Sequence, residues 1–351
     1  MATPMHSVRT AFLLALLAFV SGAWGGPALS EADVDKALEA IWLKSPNADQ
    51  RSPESAKRAA LDAYLQQFGA GGGIVDGASQ PLTERDFPAL KFHAEMLSGG
   101  VGYARLGAFS SELPGKLETA LRDFKQLNAR TLLLDLRATP AQGSLDSIVE
   151  LAGCVLPANT LVCEWRTATQ AAQPVYTQRQ PVGQFNLVLL TGPRTAGPVE
   201  ALAAALRAQG GALIFGSKTQ GWAADFDAIS LSNGRSLRLP VREALFAREP
   251  RLYPDGLLPN ITIKTSMEAS DAALLQAVKD GKLAPLLVEP EYTRISEAAL
   301  VAGKNPETEA WIAAQLRKSP APAPTARDKA LVQVLDYLRA ADALRGENPN
   351  P

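Results

Sequence analysis

The sequence predicts a layered α/β domain, and three observations carry that expectation. From about residue 100, apolar strand-like runs alternate with helical runs. Two of the strand-like runs, TLLLDLR and FNLVLL, are continuously apolar, as in strands covered on both faces. Later, AISLSNGRSLRLPV reads as two strands around Asn233-Gly234, a hairpin signal.

Residues 30–68 read as two helices. Val34, Leu38, Ile41 and Trp42 share one helical face, with Ser30 as N-cap. Ala60, Leu61, Tyr64, Leu65 and Phe68 form a second stripe, opened by Ser52 and Pro53. FGAGGGIVDG follows a helix and does not lead from a strand into a helix, so a phosphate-binding loop is disfavoured. It reads as a flexible linker.

VGYARLGAF then reads as a strand. LPGKLETALRDFKQL reads as a helix with Leu117, Ala120, Leu121 and Phe124 on one side. After TLLLDLR come a helix in SLDSIVELAGCVL and strands in TLVCEW and FNLVLL. The turn TGPRTAGP leads into the helix VEALAAALRAQG, which stops at Gly210, and ALIFG is the next strand. Beyond residue 265, DAALLQAVKDG, SEAALVAG and ETEAWIAAQLRK read as short helices, and SPAPAPTA as a Pro/Ala linker. The last helix carries Leu331, Val334, Leu335 and Leu338 in register, a stripe that must dock on the body or on a partner chain. This divides the chain into 1–25, 26–70, a linker at 71–94, the α/β domain at 95–265, a helical extension at 266–318, and a linker with a final helix at 319–351.

The 351 residues carry 35 basic and 36 acidic side chains, a net charge of -1. No basic stripe with interleaved aromatics points to nucleic acid. The only histidines are His6 and His93, and the only cysteines are Cys154 and Cys163, so no metal or cofactor is expected. The start reads as an export signal: MATPMHSVRT with Arg9, the apolar run AFLLALLAFV, and the small residues of SGAWGG, with cleavage after Ala23 or Gly25. The other reading is an uncleaved anchor, against which stands an apolar core of about ten to fourteen residues, too short to span a bilayer. The expected location is therefore periplasmic or secreted, with no membrane span after cleavage. Export permits a disulfide between Cys154 and Cys163; the alternative is two small buried hydrophobes.

The α/β region resembles the peptidase domain of the S41 family, the C-terminal processing (tail-specific) serine peptidases. The likeness runs in order through VGYARLGAF, LLLDLRATPAQG, LVLLTGPRTAGPVEALAAAL, GALIFGSKTQGW, LSNGRSLRLPV and GLLPNITI. It implies a ClpP/crotonase-like fold with helical extensions at both ends. It also implies a Ser-Lys dyad, and here the sequence departs from the family. The serine position is Gly197, in a frame that reads Thr195, Ala196, Gly197, Pro198, Val199, Glu200. The lysine position is Trp222, which can neither take nor return a proton. A family acidic position falls near Ala208. The oxyanion loop reads Ala141, Gln142, Gly143 after Pro140, with one residue inserted.

The resemblance thus implies a pseudopeptidase with no intact catalytic residue and a vestigial pocket formed by Ala141, Gln142, Gly143, Thr195, Ala196, Gly197, Lys218 and Trp222. It would bind a peptide or protein partner. The competing reading is an active, divergent serine-type endopeptidase using displaced residues such as Thr195 and Lys218. Asp135 and Arg137 read as structural, Glu200 as a first-turn carboxylate favoured by the helix dipole, and Trp222 as a filler of the vacated site or, as the alternative, an apolar floor for a ligand. The gap before VGYARL, about 30 residues, is too short for the family's usual peptide-binding PDZ module. The apolar faces of the terminal helices suggest a homodimer.

Overall fold

The computed structural model describes residues 30–44, 53–76, 85–140, 143–231, 234–247, 249–287 and 327–346. The export signal, the expected helices in SEAALVAG and ETEAWIAAQLRK, the Pro/Ala linker, and Ala141 and Gln142 lie outside these residues. Among the described residues, no helix is long and apolar enough to cross a membrane.

Two helices come first, Glu31–Lys44 (α1) and Pro53–Leu65 (α2). Ser30 opens α1 as expected: Asp33 N donates to its hydroxyl at 3.2 Å. A six-stranded sheet forms the centre. Its order is Ile261–Thr262, Leu213–Gly216, Asn186–Thr191, Thr131–Asp135, Val101–Arg105 and His93–Leu97. These are β11, β8, β7, β4, β3 and β2 when strands are numbered along the chain. All neighbours run parallel except the β2–β3 edge pair.

The continuous apolar runs of β4 and β7 reflect burial on both faces. Leu132 and Leu134 point into one core, with Leu187 and Leu189 of β7. Leu133, Val188 and Leu190 point into another, as strand alternation requires. The first core is filled by Leu113–Gln126 (α3), Ser147–Ala152 (α4) and Pro198–Gly210 (α5). In α5 every side chain from Pro198 to Leu206 is buried. That explains a helix of small and apolar residues with no solvent face over its first nine positions.

The second core is closed by Met267–Asp280 (α6), Ala284–Leu287 (α7) and Lys329–Gly346 (α8). The stripe of the last helix therefore docks on the body. Leu331, Val334 and Leu335 are buried against Phe215, and Tyr337 meets the Phe215 ring edge-on at 5.1 Å.

The second sheet is antiparallel, and it corrects the linker expected at 71–94. Gly73–Asp76 (β1) pairs with Arg235–Leu245 (β10), which also pairs with Ala224–Ser230 (β9) and Leu161–Thr167 (β5); Gln173–Tyr176 (β6) lies beyond β5. The preceding glycines serve close approach and not flexibility. A Cβ on Gly71 would lie 2.9 Å from the Phe226 ring and 3.2 Å from Trp222. Tyr253 Oη donates to Phe68 O at 2.5 Å and fixes the same segment.

The cysteines stand as two free, buried thiols, which corrects the disulfide alternative. The Cys154 Sγ donates to Glu150 O at 3.4 Å and accepts from Arg179 at 3.0 Å, so α4 and Arg179 hold it. Burial pushes the Cys154 thiol up to about 11 and the Cys163 thiol up to about 12. Both are therefore neutral near pH 7.

Candidate functional site

The turn between β7 and α5 carries the frame in question. Gly197 is the N-cap residue of α5, at φ 76 and ψ -141. Non-glycine residues rarely adopt that backbone conformation. Glu200, three residues on, is fully buried and organises everything around it. Its carboxylate accepts from Gly197 N at 2.8 Å and from Trp222 N and Gly221 N, both at 2.7 Å; the Thr219 hydroxyl donates to it as well. One side chain thus locks the helix start to the loop at 219–222. Burial pushes its carboxyl above the ordinary value, and the four donors oppose that shift.

The surrounding polar groups are equally committed. Thr195 is fully buried. Its hydroxyl donates to Leu136 O and accepts from Gly192 N, both at 2.9 Å. Ala196 is buried and its N–H donates to Thr139 O. The Thr219 hydroxyl, besides donating to Glu200, accepts from Leu257 N at 2.7 Å. Arg194 makes a bidentate pair with Asp271 of α6 at 2.7–3.0 Å.

A cavity of about 290 Å³ opens in front of this turn. Of the residues expected in a vestigial pocket, Gly143, Gly197 and Trp222 line it. Thr195 and Ala196 lie buried outside its lining, and Lys218 is exposed and also outside it. Ala208 is in the last turn of α5, about 16 Å along the axis from Gly197 at 1.5 Å per residue. It lines a separate cavity with Cys163 and Phe246. Trp222 is half-buried and forms a wall of the site cavity rather than filling it.

The remaining lining comes from residues that the sequence reading passed over: Ser144, Pro198, Ala224, Asp225, Phe226, Ala228 and Arg238. Period-2 spacing of Ala224, Phe226 and Ala228 was the available signal, since it puts them on one face of β9. Asp225 accepts from Leu145 N at 2.9 Å and from Arg242 at 2.6 Å. It thereby pins the loop after residue 142 to the β9–β10 ribbon.

Asp135 and Arg137 are structural, as expected, but they have a third member. Arg137 donates to both oxygens of Asp135 and to both of Asp328, at 2.6–2.9 Å, and Tyr103 Oη donates to Asp135 at 2.8 Å. Burial would raise Asp135, but Arg137 beside it holds its carboxyl below the ordinary range. His93 sits on β2 with Nε2 3.0 Å from Glu95, remote in sequence from the turn. Among the described residues, no group of three His, Cys, Asp or Glu could hold a metal ion.

A mixed sheet with helices on both faces, together with a second, antiparallel sheet, defines an α/β fold in which a strand–turn–helix presents a cavity. Residues 100–263 match the model of peptidase family S41. It is 28% identical over 183 residues to a carboxyl-terminal-processing protease of a Picosynechococcus species, a match covering 50% of this chain and 43% of that protein. It is 24% identical over 205 residues to the chloroplastic carboxyl-terminal-processing peptidase 3 of Arabidopsis thaliana, covering 58% and 39%. The matches thus span about two fifths of these relatives. A crystallised candidate peptidase from Parabacteroides merdae superposes with a TM-score of 0.51 at 15% identity, covering 78% of this chain and 93% of that one. That likeness concerns the fold alone.

Proposed function

We propose that the protein is an exported, non-catalytic member of the family, a pseudopeptidase whose cavity beside Gly197 holds a peptide segment of a partner. The observation that carries this reading is the composition of the cavity wall. Where the family's nucleophile and base would face one another stand Gly197 and Trp222. The displaced pair does not assemble in their place. The Thr195 hydroxyl is buried with both its bonding directions used, and Lys218 lies exposed beyond the lining. Ser144 is the one hydroxyl side chain among the lining residues, and no lysine, histidine or carboxylate bonds to it among the described residues. Binding is supported by the edge strand β9. Among the described residues it pairs only with β10, so one edge is free beside the cavity to take an added strand.

Activity-based labelling with a serine-reactive phosphonate, run beside a peptide-cleavage screen, tests the reading. Neither labelling nor turnover above background is expected. Cleavage abolished by Thr195→Ala or Lys218→Ala would establish the active-endopeptidase alternative instead. Gly197→Ser combined with Trp222→Lys should restore at most a trace of turnover. The backbone at residue 197 resists a side chain, a strain of about 1–3 kcal/mol. N-terminal sequencing of exported protein tests the location, with a mature start expected between residues 24 and 29; a start at Met1 would refute cleavage.

A further inference from the structure

Arg238 is the unusual residue of the cavity. It lies on β10 directly across from Ala228, on the face that lines the cavity. The small alanine leaves the guanidinium room to fold over two rings, Phe226 at 4.2 Å and Trp222 at 5.2 Å. It is half-buried, and among the described residues no carboxylate or hydrogen-bond acceptor pairs with it. Its neighbours are otherwise paired. Arg242 holds Asp225 and Asp146, Arg166 and Arg251 share Glu243, and Glu200 is saturated by four donors. Burial without a counter-charge pulls the Arg238 guanidinium below its ordinary range. A planar cation stacked on aromatic rings, with its donors unspent, is a ready receptor for a carboxylate.

We infer that Arg238 is a specificity determinant that receives an acidic side chain, Asp or Glu, of a peptide laid beside β9. This rests on the peptide-binding reading above and adds the chemistry of the ligand. A side chain and not a chain end is assigned, because a strand added to the free edge of β9 sends alternate side chains to the cavity face without ending there.

The test uses arrays of N-acetylated, C-amidated peptides in which single positions carry Glu or Gln, with a parallel set ending in a free carboxylate. The wild-type chain should favour Glu over Gln by about tenfold at one position, the weight of one charge-assisted hydrogen bond. Arg238→Gln should level that preference, and Arg238→Lys should keep part of it. Ala228→Glu provides a second variant, placing a carboxylate across from Arg238 where it should occupy the guanidinium and suppress the Glu preference. Equal binding of Glu and Gln peptides, or a preference unchanged in both Arg238→Gln and Ala228→Glu, overturns the inference while leaving peptide binding intact. A preference for the free chain end also overturns it. No binding of any peptide removes both readings. Cleavage of Glu-containing peptides, with the preference lost in Arg238→Gln, would support Arg238 and remove only the non-catalytic reading.

Discussion

Glu200 is where one residue governs the site. Four donors converge on its carboxylate, from Gly197, Thr219, Gly221 and Trp222. Glutamine would place an NH₂ group against at least one of those donors. Glu200→Gln should therefore destabilise the protein by about 1–3 kcal/mol, the usual cost of unsatisfied buried polar groups. Chemical denaturation would measure it. The pH dependence has a definite sign. Because the folded carboxyl titrates above its ordinary value of 4.5, its contribution is full below that pH and is lost as pH rises through the folded value. The stability gap between wild type and Glu200→Gln should be widest in acid and should narrow toward neutrality. The dipole argument foresaw a carboxylate at this position. It did not foresee the role, because three of the four donors belong to residues 219–222, which folding alone brings to the helix start.

At the scale of elements, the C-terminal helix is held by a buried ion network as well as by its apolar stripe. Arg137 and Asp328 are each 2% exposed and bond through two parallel contacts. Asp328 also caps α8, accepting from Leu331 N at 3.0 Å. Removing one member of a buried pair strands the other charge, so Asp328→Ala should cost about 3–5 kcal/mol. Asp328→Asn should cost less, since asparagine is a good N-cap but carries no charge. Hydrogen exchange should report the loss as faster exchange across 327–346, ahead of the central strands β4 and β7. Equal protection of α8 in wild type and Asp328→Ala would argue that the apolar stripe alone holds the helix. The sequence marked Asp135 and Arg137 as a strand-end brace, but it offered no sign of Asp328, which is 191 positions from its partner.

On the scale of the whole molecule, the N-terminal segment wraps behind the cavity and joins the antiparallel sheet. Gly71 passes so close to Phe226 and Trp222 that a side chain there would collide with both rings. Gly71→Val should cost about 1–3 kcal/mol through overpacking. It should also shift tryptophan fluorescence, because Trp222 forms one wall of the cavity. An unchanged spectrum with unchanged stability would show that the 66–76 segment does not press on the site. The same wrap explains why FGAGGGIVDG misleads as a sequence. Glycines that signal flexibility also signal close packing, and only the neighbouring chain distinguishes the two.

By itself, the sequence determined the layered α/β core and the succession of its strands and helices. Those features rest on periodicity, turn chemistry and residue identity, all of which are local. Only the tertiary structure decided that β1 completes a sheet, that α8 docks on the body, that the cysteines stay apart and that Arg238 faces the cavity unpaired. Each of these depends on contacts between segments far apart along the chain. Which partners meet is set by burial and shape across the folded body, and no local pattern records it.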